Sequence, residues 1–178
     1  MNKAEQESAL PRLRTILNED VRNVLRVGYD GLHEKDRSIF LHIACLFNGE
    51  NVDYVKQLLS SSGLDVNFGI EVLSRCKLTI MMHSLLQQLG REVVCEQSID
   101  EPGKRQFLGD ASEIYDVLVD NTGSGPVLGI SLDISKFNEW FLNERCFGGM
   151  HNLKFYKSSL SKEDQTELHY PGGLLSAS

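Results

Sequence analysis

The hydrophobic pattern of this chain is strongest between residues 39 and 47. Apolar residues recur there at intervals of three and four positions, which places them on one side of an α-helix. They are Ile39, Phe40, Ile43, Ala44 and Phe47. Because this stripe covers most of one side, we predict that the central core helix of the domain lies here and ends at Asn48-Gly49.

Shorter apolar stripes predict further helices on both sides of the core helix. Asn18 and Asn51 are good helix caps, and Gly31 is a good helix end. The predicted inward-facing residues are Val21, Val24, Leu25 and Gly28 before the core helix, and Val52, Val55, Leu58 and Leu59 after it. A fourth helical piece carries Phe68, Val72 and Leu73, and residues 77–80 leave room for one short strand.

A further stripe contains the histidine with the clearest functional hypothesis. The stripe consists of Met82, Leu85, Leu86, Leu89 and Val93. His83 lies on its flank near the predicted helix start, where backbone N–H groups point outward and carry partial positive charge. A histidine at a helix start suits an anion. The plainer interpretation is that His83 only caps or flanks its helix.

The pattern changes after residue 110. Asp110 and Glu113 have the spacing of a capping box, and the turn at residues 121–125 would end the helix that they begin. Strict alternation then predicts a strand with one buried and one polar face. The helix would bury Ile114, Val117 and Leu118, and the strand would bury Leu128, Ile130, Leu132 and Ile134. The tail around residues 171–173 has little that can pack.

Charge and cysteine content restrict the function. The 18 Lys and Arg residues against 25 Asp and Glu residues give a net charge of −7, which disfavours nucleic acid as a partner. The four cysteines have no CxxC spacing and no apolar leader precedes them, so we expect reduced thiols in the cytoplasm, with the nucleus as a further location. No apolar run is long enough to span a membrane.

Local motifs of catalysis and phosphate binding are not present in the sequence. Gly103-Lys104 lacks both the earlier glycine and the following hydroxyl of a P-loop, and NTGSG lacks the third glycine of a dinucleotide site. The five histidines show no HExxH motif and no zinc spacing with cysteine. We therefore expect no enzyme, no catalytic residue and no metal site.

Several stretches resemble one family when they are read in order. DGLHEKDRSIFLHIACLF and MHSLLQQLGREVV resemble the winged-helix part of the nucleotide-binding region of plant disease-resistance proteins that carry a Toll/interleukin-receptor domain and leucine-rich repeats. The resemblance runs from about Ala9 to Phe155, through LPRLRT, EPGKRQFL, DNTGSGPVLGISLDIS and CFGGMHNLKF. MHNLKF resembles the start of one leucine-rich repeat.

The resemblance implies a role for His83. Met82 and His83 match the first two positions of the family's Met-His-Asp motif, whose histidine contacts the β-phosphate of bound ADP in the inactive receptor. Ser84 stands where the family has the acid, so that charge is missing. Only residues 74–81 separate Leu73 from Met82, which implies a wing shortened to one strand. ADP or ATP enters this interpretation by resemblance alone, because the P-loop is absent from the chain.

The resulting fold prediction is mainly α. It places a remnant of the preceding helical subdomain at residues 1–17 and a winged-helix-like helical domain at residues 18–122. A short β-containing junction and the start of a leucine-rich-repeat solenoid follow at residues 123–157, and a poorly ordered tail at residues 158–178.

The resulting functional prediction is the regulatory portion of a plant intracellular immune receptor, involved in defense response and signal transduction. The isolated chain would lack nucleotide binding of its own. Expected partners are the remainder of the receptor or related receptors, with pathogen effectors reached through the repeats. The alternatives are a nucleic-acid-binding winged helix, whose recognition helix at residues 52–59 carries only Lys56, and a non-catalytic decoy or adaptor fragment that binds full-length receptors.

Overall fold

The structure, a computed structural model, describes residues 19–64, 79–133, 144–159 and 167–169. Predictions that fall elsewhere lie outside the described residues. These are the Asn18 cap, the helix with Phe68, Val72 and Leu73, the shortened wing, the burial of Ile134 and the tail at residues 171–173.

The described part of the chain is mainly helical. Residues 19–30 are helical and are called α1. Helix α2 spans Glu34–His42 and continues as a π-helical turn over Ile43–Phe47. Helices α3, α4 and α5 span Val52–Ser61, Ser84–Gln97 and Ala111–Val119. Two 3₁₀ turns lie at Pro102–Lys104 and Glu144–Phe147.

The predicted core helix is confirmed. Ile43 and Phe47 are fully buried, and Ala44 packs so closely on Gly90 of α4 that a Cβ at residue 90 would collide with it. The helix ends where Asn48-Gly49 predicted, and Gly49 has a φ of +89°, which a glycine adopts without strain. What the sequence did not indicate is the π-helical turn, a geometry with i→i+5 bonding that is rare in globular proteins.

The predicted inner face of α1 is partly wrong: Leu25 faces the core as predicted, but Val24 does not. Val24 is 71% exposed, and the residues that face the core are Leu25 and Tyr29. Two ion pairs to α4 accompany this orientation: Arg22 lies 3.0 Å from Glu92, and Arg26 lies 2.7 Å from Glu96. With Leu25 and Tyr29 against the core, the side that carries Val24 and Val27 is turned to solvent.

Helix α3 follows the prediction closely. Asn51 is its N-cap and accepts backbone N–H groups of Asp53 and Tyr54 at 2.9 and 3.2 Å. All four predicted inner residues, Val52, Val55, Leu58 and Leu59, are buried. The strand expected at residues 77–80 is represented among the described residues by a single bridge between Asn51 and Thr79.

A four-stranded sheet lies beyond the helices. Its strands are β1 (Phe107–Leu108), β2 (Gly129–Asp133), β3 (Phe155–Ser159) and β4 (Glu167–His169), in that spatial order. The β1–β2 and β2–β3 pairs are parallel, and the β3–β4 pair is antiparallel. The residues expected to form a poorly ordered tail thus include the end of β3 and all of β4.

Strand β2 differs from the prediction on one face. Ile130 and Leu132 are buried as expected. The opposite face is also covered, because a Cβ at Gly129 would lie 2.5 Å from Leu46 Cδ1 and 3.1 Å from Phe107 Cδ1. Parallel strands at the centre of a sheet are commonly covered on both faces, so alternation alone did not reveal this contact.

Helix α5 covers a second hydrophobic cluster. Its predicted inner residues Ile114, Val117 and Leu118 are buried against Ile130 and Leu132 of β2. Asp110 caps the helix as predicted, accepting the N–H groups of Ser112 and Glu113. The Glu113 carboxylate also takes part in a contact that the capping box does not predict: it accepts from Arg105 Nη1 at 2.8 Å. Arg105 is only 4% exposed, and its buried cation needs this partner.

Candidate functional site at the start of helix α4

His83 is the N-cap of α4. Its ring Nδ1 accepts the backbone N–H of Leu85 at 3.2 Å, which satisfies one of the N–H groups that a helix start leaves without an intrahelical partner. The side chain is exposed. The plainer of the two predicted interpretations, helix capping, is therefore part of the geometry, and the imidazole also has open access to solvent.

The capping bond decides which ring nitrogen can donate. Because Nδ1 accepts an N–H, it carries no proton, so the proton of the neutral ring lies on Nε2. Within the described residues, the Leu85 bond is the one hydrogen bond made by this side chain. His83 can therefore present a neutral Nε2–H donor to an outside acceptor while it holds its helix.

Charges around His83 favour an anion. The first turn of α4, which begins with Ser84, contains no acidic residue. The partial positive charge of the helix start is thus not neutralised locally. Ser84 itself is exposed, and the cap is His83 rather than the serine.

Helix α2 supplies an internal comparison for this arrangement. Its N-cap is also an exposed histidine, His33, whose Nδ1 accepts the Lys35 N–H at 3.4 Å. The first turn of α2 carries Glu34 and Asp36. These carboxylates would repel a phosphate, since like charges near a helix start cancel the favourable field. The two histidines share a capping geometry but only His83 has an environment suited to an anion.

A small cleft opens one turn beyond His83, between α1 and α4. Its volume is about 210 Å³, and it is lined by Glu19, Arg22, Leu25, Leu85, Gln88, Leu89 and Glu92. Its wall carries the carboxylates of Glu19 and Glu92 and one cation, Arg22, which pairs with Glu92, so the lining has a net negative charge that disfavours the phosphates of a nucleotide. An anion near His83 would therefore be held at the exposed helix end rather than inside this cleft.

The remaining titratable groups singled out by their burial are structural. Burial raises the pKa of the Cys45 thiol to about 12, so this cysteine remains a protonated thiol at neutral pH. Burial also lowers the pKa of His42, whose Nδ1 bonds to the Ser38 carbonyl at 2.7 Å and whose ring contacts Phe47, Phe107 and Phe155. Neither side chain lies near His83 in the sequence, and neither is a hydrogen-bond partner of His83.

Helix α3 gives no support to the nucleic-acid alternative. Its capping end exposes Asp53, and Lys56, its one cation, is half-buried. A recognition helix would present several exposed cations to phosphates and base edges.

Sequence reasoning missed two residues that shape this region. Asn48, interpreted only as a helix end, accepts the backbone N–H of Met82 at 2.6 Å. Arg105 closes the opposite end of α4 by donating from Nε to the Ser98 carbonyl at 2.6 Å and from Nη2 to the Ile99 carbonyl at 2.9 Å. No local pattern signals either contact, because each joins residues that meet only in the fold.

Comparison with known proteins agrees with the resemblance seen in the sequence. Residues 33–98 match the family model described as disease resistance protein Roq1-like, winged-helix domain. Those residues form a winged-helix domain of the disease resistance proteins. The matched range begins at His33, the cap of α2, and includes the whole of α4 with His83.

Full-length relatives extend the likeness over nearly the whole chain. The chain is 52% identical over 162 residues to disease resistance-like protein DSC2, 49% identical over 172 residues to disease resistance protein RPS6, and 39% identical over 184 residues to disease resistance protein TAO1, all from Arabidopsis thaliana. These matches cover 87%, 93% and 98% of the chain. The chain spans only 13%, 15% and 16% of the three relatives, so it corresponds to a small part of each.

The relatives and the structure together confirm the predicted family and the mainly helical fold. The leucine-rich-repeat solenoid, the nucleotide and the domain limits stay predictions. Among the described residues, no helix combines the length and apolar character needed to cross a bilayer.

Proposed function

We propose that this chain supplies the regulatory winged-helix part of a plant intracellular immune receptor, with His83 facing the phosphate of ADP held mainly by another segment. The observation that carries the proposal is the exposed His83 at an acid-free helix start, with Nδ1 occupied by the Leu85 N–H. That arrangement leaves Nε2–H as a donor toward a phosphate oxygen.

Regulation would arise from a difference between two nucleotide states. A ligand shifts a conformational equilibrium only by its differential affinity for the two conformations. A contact from His83 that forms with ADP and is lost with ATP would favour the ADP-bound, inactive arrangement. Exchange to ATP would then release the winged-helix part and permit defense signalling. The residues bind and orient; no bond to the nucleotide is made or broken by this chain.

The phosphate-binding half of the switch must come from elsewhere in a receptor. The sequence has no GxxxxGK[ST] loop. One hydrogen bond to a charged group contributes about 1.5–3 kcal/mol, which by itself corresponds to no useful affinity. We therefore expect isothermal titration of the 178-residue chain with ADP to give no submicromolar binding. Submicromolar, His83-dependent binding would contradict this part of the proposal.

A hybrid receptor tests the role of His83. The segment of RPS6 that aligns with this chain would be replaced by the chain's own sequence, and the ADP retained after purification would be measured. His83→Ala is expected to weaken ADP retention by about 10-fold or more, from the loss of one hydrogen bond to a charged group. His33→Ala is the matched control. It removes the same type of histidine cap, with 3.4 Å between Nδ1 and the Lys35 nitrogen, from a helix whose first turn is acidic.

The pair of variants separates capping from ligand contact. Equal loss of ADP in both variants would show that helix stability, not a phosphate contact, determines retention. ADP retention unchanged by His83→Ala would overturn the proposal.

A further inference from the structure

Hydrogen bonds join the segment that leads into His83 to the turn at residues 48–50. Gly49 N–H donates to the Ile80 carbonyl at 2.8 Å, and Ile80 N–H donates back to the Glu50 carbonyl at 2.8 Å. The Asn48 side-chain oxygen then accepts the Met82 N–H at 2.6 Å. Three hydrogen bonds thus fix the backbone immediately before His83 to the end of the core helix.

Met82 is held on both sides of its peptide chain. Its N–H is bound by Asn48, and its carbonyl accepts the Gln87 side-chain N–H at 2.9 Å. Its side chain is 7% exposed. Because a buried residue with both backbone polar groups bonded has little freedom, the direction in which His83 leaves the chain is set by these contacts.

The same turn is tied to the sheet. Glu50 Oε1 lies 2.7 Å from Lys157 Nζ of β3, and the two side chains are only 17% and 16% exposed. Lys157 Nζ also donates to the Leu46 carbonyl at 3.1 Å, inside the π-helical turn. This cation therefore joins β3 to both sides of the Asn48 turn.

We infer that Asn48 is a positioning residue for His83, and that the Glu50–Lys157 ion pair links this position to strand β3. The physical path is short: Lys157 to Glu50, Glu50 through Gly49 to Asn48 in the same turn, Asn48 to Met82, and Met82 to His83. Contiguous bonds of this kind can transmit a displacement between sites. The inference relies on the proposed function only for what His83 contacts, not for how His83 is held.

The consequence concerns the regulation of the proposed nucleotide contact. A shift of β3 relative to the helices would strain the Glu50–Lys157 pair and move the turn that fixes Met82. The imidazole would then lose its alignment at the start of α4. Movement of whatever follows β3 in a longer receptor would in this way reach the residue that faces the phosphate.

The test uses the full 178-residue chain and measures the tautomer of His83 by long-range ¹H–¹⁵N NMR of its imidazole. The two ring nitrogens give well-separated signals when one tautomer dominates and converge when both are populated. His83→Gln identifies the signals by their disappearance. In the unaltered chain we expect the Nε2–H tautomer, because Nδ1 accepts from Leu85.

Two substitutions at Asn48 separate positioning from general stability. Asn48→Leu removes the acceptor for the Met82 N–H and is expected to shift the His83 signals toward a tautomer mixture. Asn48→Asp keeps an acceptor oxygen at the same place and is expected to restore the original signals. Asp110→Ala is the control, since it removes an N-cap of two hydrogen bonds from α5 and should leave His83 unchanged. Unchanged signals in Asn48→Leu would overturn the positioning role.

The link to β3 is tested by Lys157→Met, which keeps the apolar stem and removes the charge. We expect the His83 signals to move in the same direction as in Asn48→Leu, by a smaller amount. Glu50→Gln should produce a shift in the same direction, and the double variant should shift the signals by less than the sum of the two single variants, because both remove the Glu50–Lys157 pair. Signals unaffected by either variant would refute the link.

These measurements contain no nucleotide, so they fail or succeed independently of the ADP experiment. If the Asn48 variants change the His83 tautomer but the hybrid receptor retains ADP without His83, only the proposed function is refuted. If the His83 tautomer does not respond to Asn48→Leu while the hybrid receptor requires His83 for ADP retention, only the present inference is refuted.

Discussion

The two ends of helix α4 are finished in opposite ways. At the C-terminal end, the guanidinium of Arg105 is buried and bonds to the Ser98 and Ile99 carbonyls, to Glu113 and, at 3.6 Å, to Cys95 Sγ. At the N-terminal end, one exposed imidazole makes one hydrogen bond to the helix. The first end is completed by the protein's own groups. The second retains a donor that faces outward.

The contrast indicates how to distinguish structural from functional polar groups in this protein. A buried cation with four partners stabilises the fold, because each partner would lose a bond if the cation were removed. An exposed donor at a helix start costs little when it is unpaired in water. Such a donor can be retained for a ligand without weakening the fold.

Removing the buried guanidinium at the C-terminal end of α4 should have the largest effect on stability. Arg105→Met is expected to lower the free energy of unfolding by about 2–4 kcal/mol, because two carbonyls and the Glu113 carboxylate lose a buried donor. The measurement is urea unfolding of the full chain followed by circular dichroism.

Lys104→Met is the matched control for that prediction. Lys104 pairs with Glu101 at 2.7 Å, but the two side chains are 56% and 60% exposed. Its removal should cost less than about 0.5 kcal/mol, since solvent screens an exposed ion pair. Equal losses in the two variants would mean that Arg105 contributes no more than a surface charge.

Lowering the pH should weaken the fold through the buried His42. Burial lowers the pKa of His42 in the folded chain, so folding favours its neutral form. The stability that this form supports is present above the unfolded pKa of about 6.5 and is lost as the pH falls toward the folded pKa. Urea midpoints between pH 7.5 and 5.5 should fall less in His42→Phe than in the unaltered chain. An identical pH dependence in both would exclude His42 as the cause.

Substituting His83 at the N-terminal end of α4 should destabilise the fold less than substituting Arg105 at the C-terminal end. His83→Ala removes the cap on Leu85 N–H and is expected to destabilise the chain by about 0.5–1 kcal/mol. His83→Asn should recover that loss, because asparagine is a strong N-cap. Thermal unfolding measures both variants. A loss in His83→Ala as large as in Arg105→Met would remove the distinction between the two ends.

Adding a negative charge to the N-terminal end of α4 should have the smallest effect on stability. Ser84→Asp places an acid in the first turn of α4, where none is present, and should stabilise the helix by about 0.3–1 kcal/mol. The same acid would occupy the third position of the family's motif. A decrease in the unfolding midpoint would show that the start of α4 already has a negative environment.

Where a stripe of apolar residues was long and well capped, the sequence was sufficient to predict the structure. The core helix, the Asn51 cap of α3 and the inner face of α5 all lie as expected. The prediction failed for Val24 of α1, which faces solvent while Tyr29 faces the core, and the spacing of Asp110 and Glu113 did not reveal the pair between Glu113 and Arg105. Neither the orientation of α1 nor the Arg105–Glu113 pair follows from local spacing, because both depend on how the elements pack in the fold.

The amino-acid order alone determined that His83 stands at the start of an amphipathic helix with no acid in its first turn, since caps and first-turn charges are adjacent in sequence. Only the tertiary structure decided what holds that histidine. Asn48 and Met82 lie 34 residues apart, and Glu50 and Lys157 are separated by most of the chain, so their contacts exist only after the core helix, α4 and β3 have packed together. Hydrogen bonds and ion pairs depend on distances of a few ångströms, and those distances are set by packing rather than by spacing along the chain.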